Sequence, residues 1–361
     1  MKKMLALILA VAMVAFIVAC AQDAPAPAAP AAPEPAPAPE DPAPAPDAPA
    51  DPPPPTDESV KIGVSIMELT AYTWYLGVIE GVEQWGRENP QANFEFSFED
   101  SRSDVPTMIN NIENLILWGA QGMILFPADA SSAIPLMQRY VGEGIPFVTG
   151  DFEQDPSSPD DVVWSTHIGH DMRALGVSAA EIAIEYLETL GKDDPVCLFI
   201  WRPLSGQVGL DRLEGFTDTV LAAFPNARII DEGDIGPGDP VSAQALMENI
   251  MQRESVIDVV AGHNDALVIG AYNGAVAAGR NEIRFIGLGG MKEVLTFIDE
   301  GNEMWLGEVL QDPVVLGYLA AEAIYRAMQG ETLPPKYDLP PPIAVTPVNI
   351  GQFDWKTWPW L

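Results

Sequence analysis

Cysteine is almost absent from this sequence, which contains only two among its 361 residues. Small secreted domains that lack a large core are held together by several disulfides, and two cysteines cannot form such a framework. Cys197 lies in the apolar run DPVCLFIW, where we interpret it as a buried strand residue and not as a reactive thiol. The fold must therefore rest on hydrophobic cores, and the length predicts about two domains.

Basic residues are also few. The chain has 18 Lys and Arg against 52 Asp and Glu, which gives a formal net charge of -34. A chain this acidic repels phosphate backbones, and no basic stripe interrupts the pattern, so a nucleic-acid partner is excluded. Acidity of this degree suits a high-salt habitat and an acid-rich cell envelope alike.

Long apolar runs are confined to the N-terminus. Residues 1–20, MKKMLALILAVAMVAFIVAC, place about fifteen apolar residues after two lysines, which is the order of a secretory signal and is short for a spanning helix. The last four residues, IVAC, resemble a bacterial lipobox, so Cys20 is predicted to become the diacylated first residue of the mature protein. Cys197 then has no disulfide partner. An uncleaved membrane anchor is the alternative, and loss of Lys2 and Lys3 with the signal changes the charge from -34 to -36.

A proline-rich segment follows the predicted signal. Residues 21–57 contain 15 Pro, 13 Ala and 7 acidic residues among 37, and no basic residue. This composition cannot bury enough apolar surface to fold, and repeated Ala-Pro favours extended polyproline II. The segment is therefore predicted to be a disordered, semi-stiff linker that holds a folded body away from a membrane.

From Val60 onward, short β-branched runs alternate with longer amphipathic stretches. The predicted strands are VKIGVSI, ANFEFSF, GMILF, IPFVTG and DVVWSTHI in a first group and PVCLFIW, ARIIDEG, VIDVVAG, IRFIGLG and MWLGEVL in a second. The predicted helices cover residues 72–89, 104–118, 131–143, 171–191, 208–224, 241–253, 264–279, 291–300 and 314–329. Regular alternation in two groups predicts an α/β fold with two doubly wound parallel-sheet lobes.

Ligands of doubly wound sheets bind beyond the carboxyl ends of the strands, so the residues after each predicted strand are the candidates for a site. Those residues combine aromatic rings with hydrogen-bonding groups: Glu68, Tyr72, Trp74, Tyr75, Asp151, Phe152, His170, Arg212, Asn264 and Gln311. A sugar offers an apolar C–H face to rings and hydroxyls to charged groups, so this set is typical of a sugar site. Core packing is the alternative for the rings of Tyr72, Trp74 and Tyr75, and at least one of them is expected to be core.

From about Val60 to Tyr337 the chain resembles the type I periplasmic binding proteins, the ribose- and galactose-binding group of ABC importer components. The stretches that carry the resemblance are KIGVSIM with the following Trp74 and Tyr75, GMILFPAD, IPFVTGD, LDRLEGF, HNDALVIGA and GEVLQDP. The resemblance implies that Trp74 and Tyr75 stack on the ligand, that Asp151 binds a pair of hydroxyls, and that Arg212, Asn264 and Gln311 line the other lobe.

Two positions depart from the family pattern. Family sugar binders often carry an Arg directly after the Asp, where this chain has Phe152, and many carry an Asp after the strand IRFIGLG, where this chain has Gly289. Glu68, Tyr72, Phe152 and Trp201 are candidates to compensate with a more aromatic pocket, and Gly289 itself is kept among the predicted ligand-binding residues. The ligand class is therefore open between a monosaccharide and a non-sugar such as a nucleoside.

Other motifs favour structural interpretations. The run GLGG at 287–290 lacks the third glycine and the acidic partner of a dinucleotide site. His167 and His170 lie three apart on a strand, which does not put them on one face, so no metal is predicted. Asp129 and Asp265 are interpreted as helix caps, and Gly77 and Gly81 as sites of close helix–sheet packing. No nucleophile elbow, P-loop or catalytic carboxylate pair is present, so neither an enzyme nor a cofactor is predicted.

The predicted organisation has four parts: a lipoprotein signal (1–20), the linker (21–57), a first lobe (58–168 and 312–336) and a second lobe (169–311 and 337–361). Three crossings near 165–170, 309–313 and 334–340 are expected to form the hinge. The predicted protein is extracytoplasmic and lipid-anchored to a bacterial cell membrane. It delivers a monosaccharide or similar polyol to ABC permease subunits. The alternative is a sensory lipoprotein of the same fold that reports ligand occupancy to a membrane receptor.

Overall fold

A computed structural model of the protein describes residues 58–70, 73–151, 162–202, 206–233, 239–358 and 360. The predicted signal with Cys20, the linker over 21–57, Tyr72 and Phe152 lie outside these ranges and stay predictions. Within the described ranges, every helix is too short or too polar to cross a bilayer. Residues Thr56–Leu361 cluster as one unit by their contacts.

Strands and helices alternate along the described chain. In order, the strands are β1 (Val60–Ile66), β2 (Phe94–Asp100), β3 (Gly122–Leu125), β4 (Phe147–Gly150), β5 (Thr166–Gly169), β6 (Val196–Ile200), β7 (Arg228–Glu232), β8 (Val259–Gly262), β9 (Arg284–Gly289), β10 (Trp305–Leu310), β11 (Lys336–Asp338) and β12 (Ile343–Val345). The helices are α1 (Trp74–Glu88), α2 (Val105–Trp118), α3 (Ala130–Gly142), α4 (Met172–Thr189), α5 (Gly206–Ala223), α6 (Pro240–Arg253), α7 (Asp265–Ala277), α8 (Lys292–Asp299) and α9 (Pro313–Met328).

These strands form two six-stranded sheets with the same internal order. The first sheet runs β11-β5-β4-β3-β1-β2 and the second β12-β10-β9-β8-β6-β7. All pairs are parallel except β10 with β12. In each sheet the strand order reverses once, beside β1 and beside β6, and such a reversal opens a crevice at the carboxyl ends of the strands. The prediction of two doubly wound parallel lobes is confirmed.

Alternate residues of each central strand enter two different cores, because successive side chains of a strand point to opposite faces. In β6, Leu198 and Ile200 pack with residues of α6, α7 and α8, while Cys197 and Phe199 pack with residues of α4 and α5. The first sheet is covered on both faces in the same way. Burial raises the pKa of the Cys197 thiol to about 12, so this cysteine is an unreactive core residue as predicted.

Glycines allow two pairs of helices to approach backbone to backbone. A Cβ on Gly81 of α1 would clash with the carbonyl of Val314 in α9, and a Cβ on Gly176 of α4 would clash with the carbonyl of Arg212 in α5. Gly81 therefore makes its close contact with another helix. The prediction that it would pack closely against the sheet was wrong. The contact at Gly176 matters for function because it sets where α5 carries Arg212.

Strand pairing locates the three crossings between the sheets. The chain leaves the first sheet after Gly169, returns after Leu310, and crosses again between Asp338 of β11 and Ile343 of β12. The sequence boundaries at 168 and 336 differ from this by one and two residues, because β5 and β11 pair with each other up to Gly169 and Asp338. Neither short strand, β11 or β12, was predicted.

The segment after β12 contacts both lobes. Ile350 and Trp355 enter the core beside α8, and Lys356 pairs with Asp299. Trp360, by contrast, packs beside Gly77 on α1 in the first lobe and stacks on Trp358 with ring centroids 5.1 Å apart. The segment 337–361, predicted as part of the second lobe, thus reaches back to the first.

Candidate functional site

The carboxyl ends of strands from both sheets meet at a cleft of about 1240 Å³. Eight of the predicted site residues line it: Trp74, Tyr75, Asp151, His170, Arg212, Asn264, Gly289 and Gln311. The chain order of the two sheets explains this convergence, since each of these residues lies at or just after the carboxyl end of a strand or in the helix that follows.

A chain of hydrogen bonds runs across the cleft from the first lobe to the second. Tyr75 Oη donates to Asp151 Oδ2 at 2.6 Å, and Gln311 Nε2 donates to Asp151 Oδ1 at 3.3 Å. Arg212 Nη2 in turn donates to Gln311 Oε1 at 3.1 Å, and its Nη1 donates to the backbone carbonyl of His263. Gln311 lies in a crossing between the sheets, so its amide joins the acid of one lobe to the base of the other.

Asp151 is held in an unusual conformation directly after β4. Its φ of 66° lies in the left-handed region, which Asp tolerates better than most residues. Burial raises the pKa of its carboxyl, while the Tyr75 hydrogen bond, the Arg212 charge and the Gln311 amide act in the opposite direction. A buried carboxylate with donors on both oxygens is a pre-formed acceptor for further hydrogen bonds.

The two described aromatic residues of the opening helix differ in position. The Tyr75 ring is 2% exposed and packs in the core of the first lobe, while its hydroxyl bonds to Asp151. The indole of Trp74 is half-buried, donates from Nε1 to the backbone carbonyl of Gln311 at 2.7 Å, and meets Tyr75 edge-on with centroids 5.1 Å apart. Tyr75 is thus the core ring that the sequence led us to expect, and Trp74 is the more exposed of the two rings.

Arg212 is 5% exposed, and its three guanidinium nitrogens differ in their hydrogen-bond partners. Its Nη atoms bond to His263, Gln311 and Met172, whereas its buried Nε has no hydrogen-bond partner among the described residues. Burial lowers the pKa of the guanidinium to about 10, and the carboxylates of Asp151 and Asp265 oppose that shift. Arg212 is therefore still charged at neutral pH.

Two buried imidazoles flank Arg212. Burial, assisted by the charge of Arg212, lowers the pKa of His170 to about 3 and that of His263 to about 3. Both rings are therefore neutral at pH 7, and in the described part of the chain neither Nδ1 has a hydrogen-bond partner. A neutral imidazole offers one donor and one acceptor, which suits hydroxyl groups better than ions.

Three predicted site residues have different surroundings from those expected. Asn264 caps α7 through Oδ1, which accepts from Leu267 N at 3.1 Å, so its amide lines the cleft while serving the helix. Glu68 is not among the residues that line the cleft, and its Oε1 accepts from Thr70 N at 2.8 Å. Trp201, suggested as a compensating ring, is likewise not part of the lining, and its indole N–H donates to Asp231 on β7.

Of the two aspartates that we interpreted as helix caps, one is a cap and the other is not. Asp129 accepts from Ser132 N at 2.8 Å at the start of α3, which confirms its role as a cap. Asp265 does not cap α7, because Asn264 already does so; instead its buried carboxylate accepts from the backbone N–H groups of Leu288, Gly290 and Met291. It thereby binds the turn that leads from β9 into α8.

Several cleft residues were missed in the sequence, including Arg202, His263, Lys336 and Trp360, whereas His167, which also lines the cleft, had been considered as a ligand contact or strand cap in place of a metal ligand. Arg202 and His263 each follow a strand within two residues, so the same strand-end rule could have found them. Lys336 and Trp360 come from the segment after α9, in which no strand was predicted, and no sequence signal pointed to them. Within the lining, His167 Nδ1 lies at hydrogen-bonding distance, 3.0 Å, from Thr149 Oγ1.

Comparison with known proteins agrees with this architecture. A sequence model described as "Periplasmic binding protein domain" matches residues 62–332. A xylitol-binding protein of Mycolicibacterium smegmatis is 24% identical over 296 residues, which cover 81% of this chain and 79% of that protein. A ribose import binding protein of Bacillus subtilis is 24% identical over 270 residues, 75% of this chain and 82% of the relative.

The fold is shared with solved structures as well. A solute-binding protein of an ABC transporter from Bacillus halodurans, solved with bound myo-inositol, superposes with a TM-score of 0.70 at 22% identity and covers 83% of this chain and 100% of its own. The chain belongs to the periplasmic binding proteins, and its two-lobed architecture is that of the type I proteins of ABC sugar importers. It is an extracytoplasmic solute-binding protein and not an enzyme.

Proposed function

We propose that the protein captures an uncharged monosaccharide or polyol between its lobes and delivers it to the permease subunits of an ABC importer. The observation that carries this proposal is the bridge from Asp151 through Gln311 to Arg212, which lines the cleft with one acidic and one basic group. Within this bridge the two charges offset each other, and the neighbouring histidines are neutral. Over the whole lining, acidic and basic side chains are nearly equal in number: Asp129, Asp151, Asp211, Asp265 and Glu293 against Arg202, Arg212, Lys292 and Lys336. The site therefore favours a ligand that has hydroxyls and little net charge.

The polar groups of the cleft can bond to the hydroxyls of such a ligand. A hydroxyl can donate to Asp151, and the same or a neighbouring hydroxyl can accept from the free Nε–H of Arg212. His170 and His263 add donors and acceptors at the same depth. The indole of Trp74 lies where an apolar C–H face would pack. Hydrogen bonds to the charged partners are stronger than those between neutral groups, and they set the orientation of the sugar.

The names of the relatives support a sugar or polyol. They include binding proteins for xylitol and ribose, and a solved neighbour contains myo-inositol. At about a quarter identity these names support the class of ligand, and we carry only the class to this chain. Gly289 stands where many family members carry an Asp, and His263 lines the cleft. Which sugar binds therefore depends on these features of this chain and is not taken from the relatives.

Closure of the lobes is part of the proposal. The cleft of about 1240 Å³ exceeds the roughly 300–1,000 Å³ that ligand pockets usually occupy. Three crossings join the sheets, and a ligand bound to Asp151 on one side and Arg212 on the other would favour the closed form. The segments of the hinge are then 170–171, 311–312 and 339–342.

The anchor and the tether complete the proposed function. We infer that Cys20 is acylated and that residues 21–57 hold the binding body at a distance from the membrane, where it can reach its permease. The composition of 21–57 supports the tether, and the IVAC ending of the predicted signal supports the acylation.

A thermal-shift screen of residues 58–361 tests the ligand class. The panel contains ribose, xylitol, myo-inositol, hexoses, glycerol and nucleosides. A ligand at 100 times its dissociation constant adds about 2.7 kcal/mol to the free energy of unfolding. The same screen on Arg212→Gln should give no shift, while the control Arg139→Gln, at an exposed position on α3, should behave as the unchanged protein.

The outcomes separate the alternatives. A shift with nucleosides and none with sugars or polyols would replace the proposed ligand. A sugar that binds but whose uptake is unchanged in cells lacking the protein would favour the sensory function over delivery to an importer.

A further inference from the structure

Two carboxyl groups lie buried beneath the rim of the cleft, and the proposed ligand contacts use neither of them. Asp265 is the first residue of α7 and is 1% exposed, and Glu308 lies within β10 and is 0% exposed. They come from different elements and face the same turn, Gly289 to Met291, which joins β9 to α8.

The two groups converge on one backbone N–H. Gly290 N donates to Asp265 Oδ2 at 2.9 Å and to Glu308 Oε1 at 2.7 Å. Their other oxygens also lie together: a Cβ built on Gly287 would clash with Glu308 Oε2 and lie 2.8 Å from Asp265 Oδ1. Two buried carboxyls at such short range cannot both ionise without a large penalty, so one of them keeps a proton.

The hydrogen bonds decide which group is ionised. Asp265 accepts from three backbone N–H groups, those of Leu288, Gly290 and Met291, and it lies near the charge of Arg212. Burial raises the pKa of Asp265, and these hydrogen bonds act in the opposite direction because they favour its charged form. Glu308 has fewer donors, and its Oε2 is buried without a partner among the described residues.

Among the described residues, no Lys, Arg or His forms an ion pair with Glu308. The paired strand β12 contains no charged residue, and Val294 of α8 faces Gly287 while Lys292 and Glu293 are exposed. Burial first, and then the negative charge of Asp265, raise the pKa of Glu308 well above its usual range. The orphaned Oε2 is explained if it carries a proton.

We propose that Glu308 keeps a proton at neutral pH and donates it from Oε2 to Asp265 Oδ1, and that this shared proton positions the turn from Gly289 to Met291 at the rim of the cleft. The glycines are part of the arrangement. Gly287 leaves room for the two oxygens, and a Cβ on Gly289 would lie 3.1 Å from Asp265 Oδ2. Many family members carry an Asp at the position of Gly289. In this chain the carboxylate of Asp265, which belongs to α7, lies beside that position instead. Any effect of this turn on ligand affinity rests on the function proposed above.

The sign of the pH dependence follows from the proton. The folded protein binds the Glu308 proton more tightly than the unfolded chain, in which glutamate ionises near pH 4.3. The stabilising effect is therefore complete below that pH and is lost as the pH rises through the pKa of the folded state. The stabilising contribution of Glu308 therefore decreases as the pH rises, whereas the buried histidines make the protein less stable as the pH falls.

Infrared spectroscopy tests the proton directly. At pH 7 the difference between the unchanged protein and Glu308→Gln should contain the C=O stretch of a protonated carboxylic acid. The control Glu303→Gln makes the same substitution at an exposed position and should remove only carboxylate bands. Loss of carboxylate bands alone in Glu308→Gln would overturn the proposal.

A second pair of measurements tests the positioning role without any ligand. Glu308→Gln keeps a donor for Asp265, so amide hydrogen exchange at 289–291 should stay as slow as in the unchanged protein. Its stability should also lose the alkaline decline. Glu308→Leu removes the donor, and exchange at the same amides should rise at least tenfold. Equal exchange rates in Glu308→Leu and the unchanged protein would contradict the positioning role, whatever the ligand proves to be.

Discussion

The hydroxyl of Tyr75 lies 2.6 Å from Oδ2 of Asp151 and joins the first turn of α1 to the residue that follows β4. Tyr75 reaches this position because its ring is a core residue of the first lobe, with its centroid 6.2 Å from that of Phe126. A core side chain therefore orients the acidic group of the cleft.

Tyr75→Phe should keep the core and lose the hydrogen bond. A hydrogen bond to a charged group contributes roughly 1.5–3 kcal/mol, and much of that should be lost from ligand binding as well as from stability. Because the lost hydrogen bond lowers the pKa of Asp151, that pKa should rise further. Calorimetric titration and urea unfolding measure the two effects. An unchanged affinity would show that Asp151 needs no help from Tyr75.

Trp74→Ala should weaken binding while leaving the fold intact. A ring contact adds about 0.5–1.5 kcal/mol beyond buried area, so the affinity should fall by about tenfold or more. Truncation of a fully buried Trp costs roughly 3–5 kcal/mol of folding stability instead. Trp74→Phe should abolish most of the ligand-dependent change in tryptophan fluorescence. A strongly destabilised Trp74→Ala protein with normal affinity would make Trp74 a core residue and leave Tyr72 as the candidate ring.

Asp151→Asn should preserve the backbone, since Asn also tolerates the left-handed conformation found at this residue. It removes the charge that strengthens the hydroxyl contacts, and we expect an affinity loss of about tenfold or more. Asp129→Asn is the matched control, because Asp129 also lines the cleft but caps α3, where Asn serves equally well. Equal losses in both variants would contradict a specific role for Asp151.

The buried histidines should destabilise the protein in acid. The pKa of His263 is lowered to about 3 in the folded state, so below pH 6.5 the unfolded chain binds a proton that the folded protein does not. The free energy of unfolding should therefore decrease as the pH is lowered. This residue should account for about 2 kcal/mol of the decrease between pH 6.5 and 5. His263→Gln should remove that part of the decline in urea titrations. The same decline in both proteins would assign acid sensitivity to other groups.

Cys20→Ala should release the protein from membranes. The prediction follows from the lipobox-like ending of the signal, and fractionation of cells measures it. Deletion of ten residues within 21–57 is the companion experiment: it should leave affinity for ligand unchanged, because a segment of this composition makes no folded contacts. Membrane retention of Cys20→Ala after removal of the signal would argue for a different anchor.

The sequence anticipated the fold because its local patterns agree with the final structure. Each predicted β-branched run overlaps an observed strand, and each predicted amphipathic stretch overlaps a helix, as with α5 and α9, whose bounds differ from the predicted ones by one or two residues. DVVWSTHI was too long, since β5 begins only at Thr166. The strands β11 and β12 were missed because three residues in a proline-rich stretch give no period that could be read.

Composition, periodicity and the order of strand ends thus determined that this chain forms two parallel lobes with polar residues gathered at one cleft. Those features depend on local spacing, which is visible in a single sequence. Local partners such as that of the helix cap Asp129 were predictable, but the tertiary structure alone decided which distant partners the other polar groups have. Asp265 and Glu308 meet on one amide, Arg212 reaches Gln311, and Trp360 returns to Gly77. Such contacts join residues that are far apart in the chain, and local sequence patterns do not show which distant residues will meet.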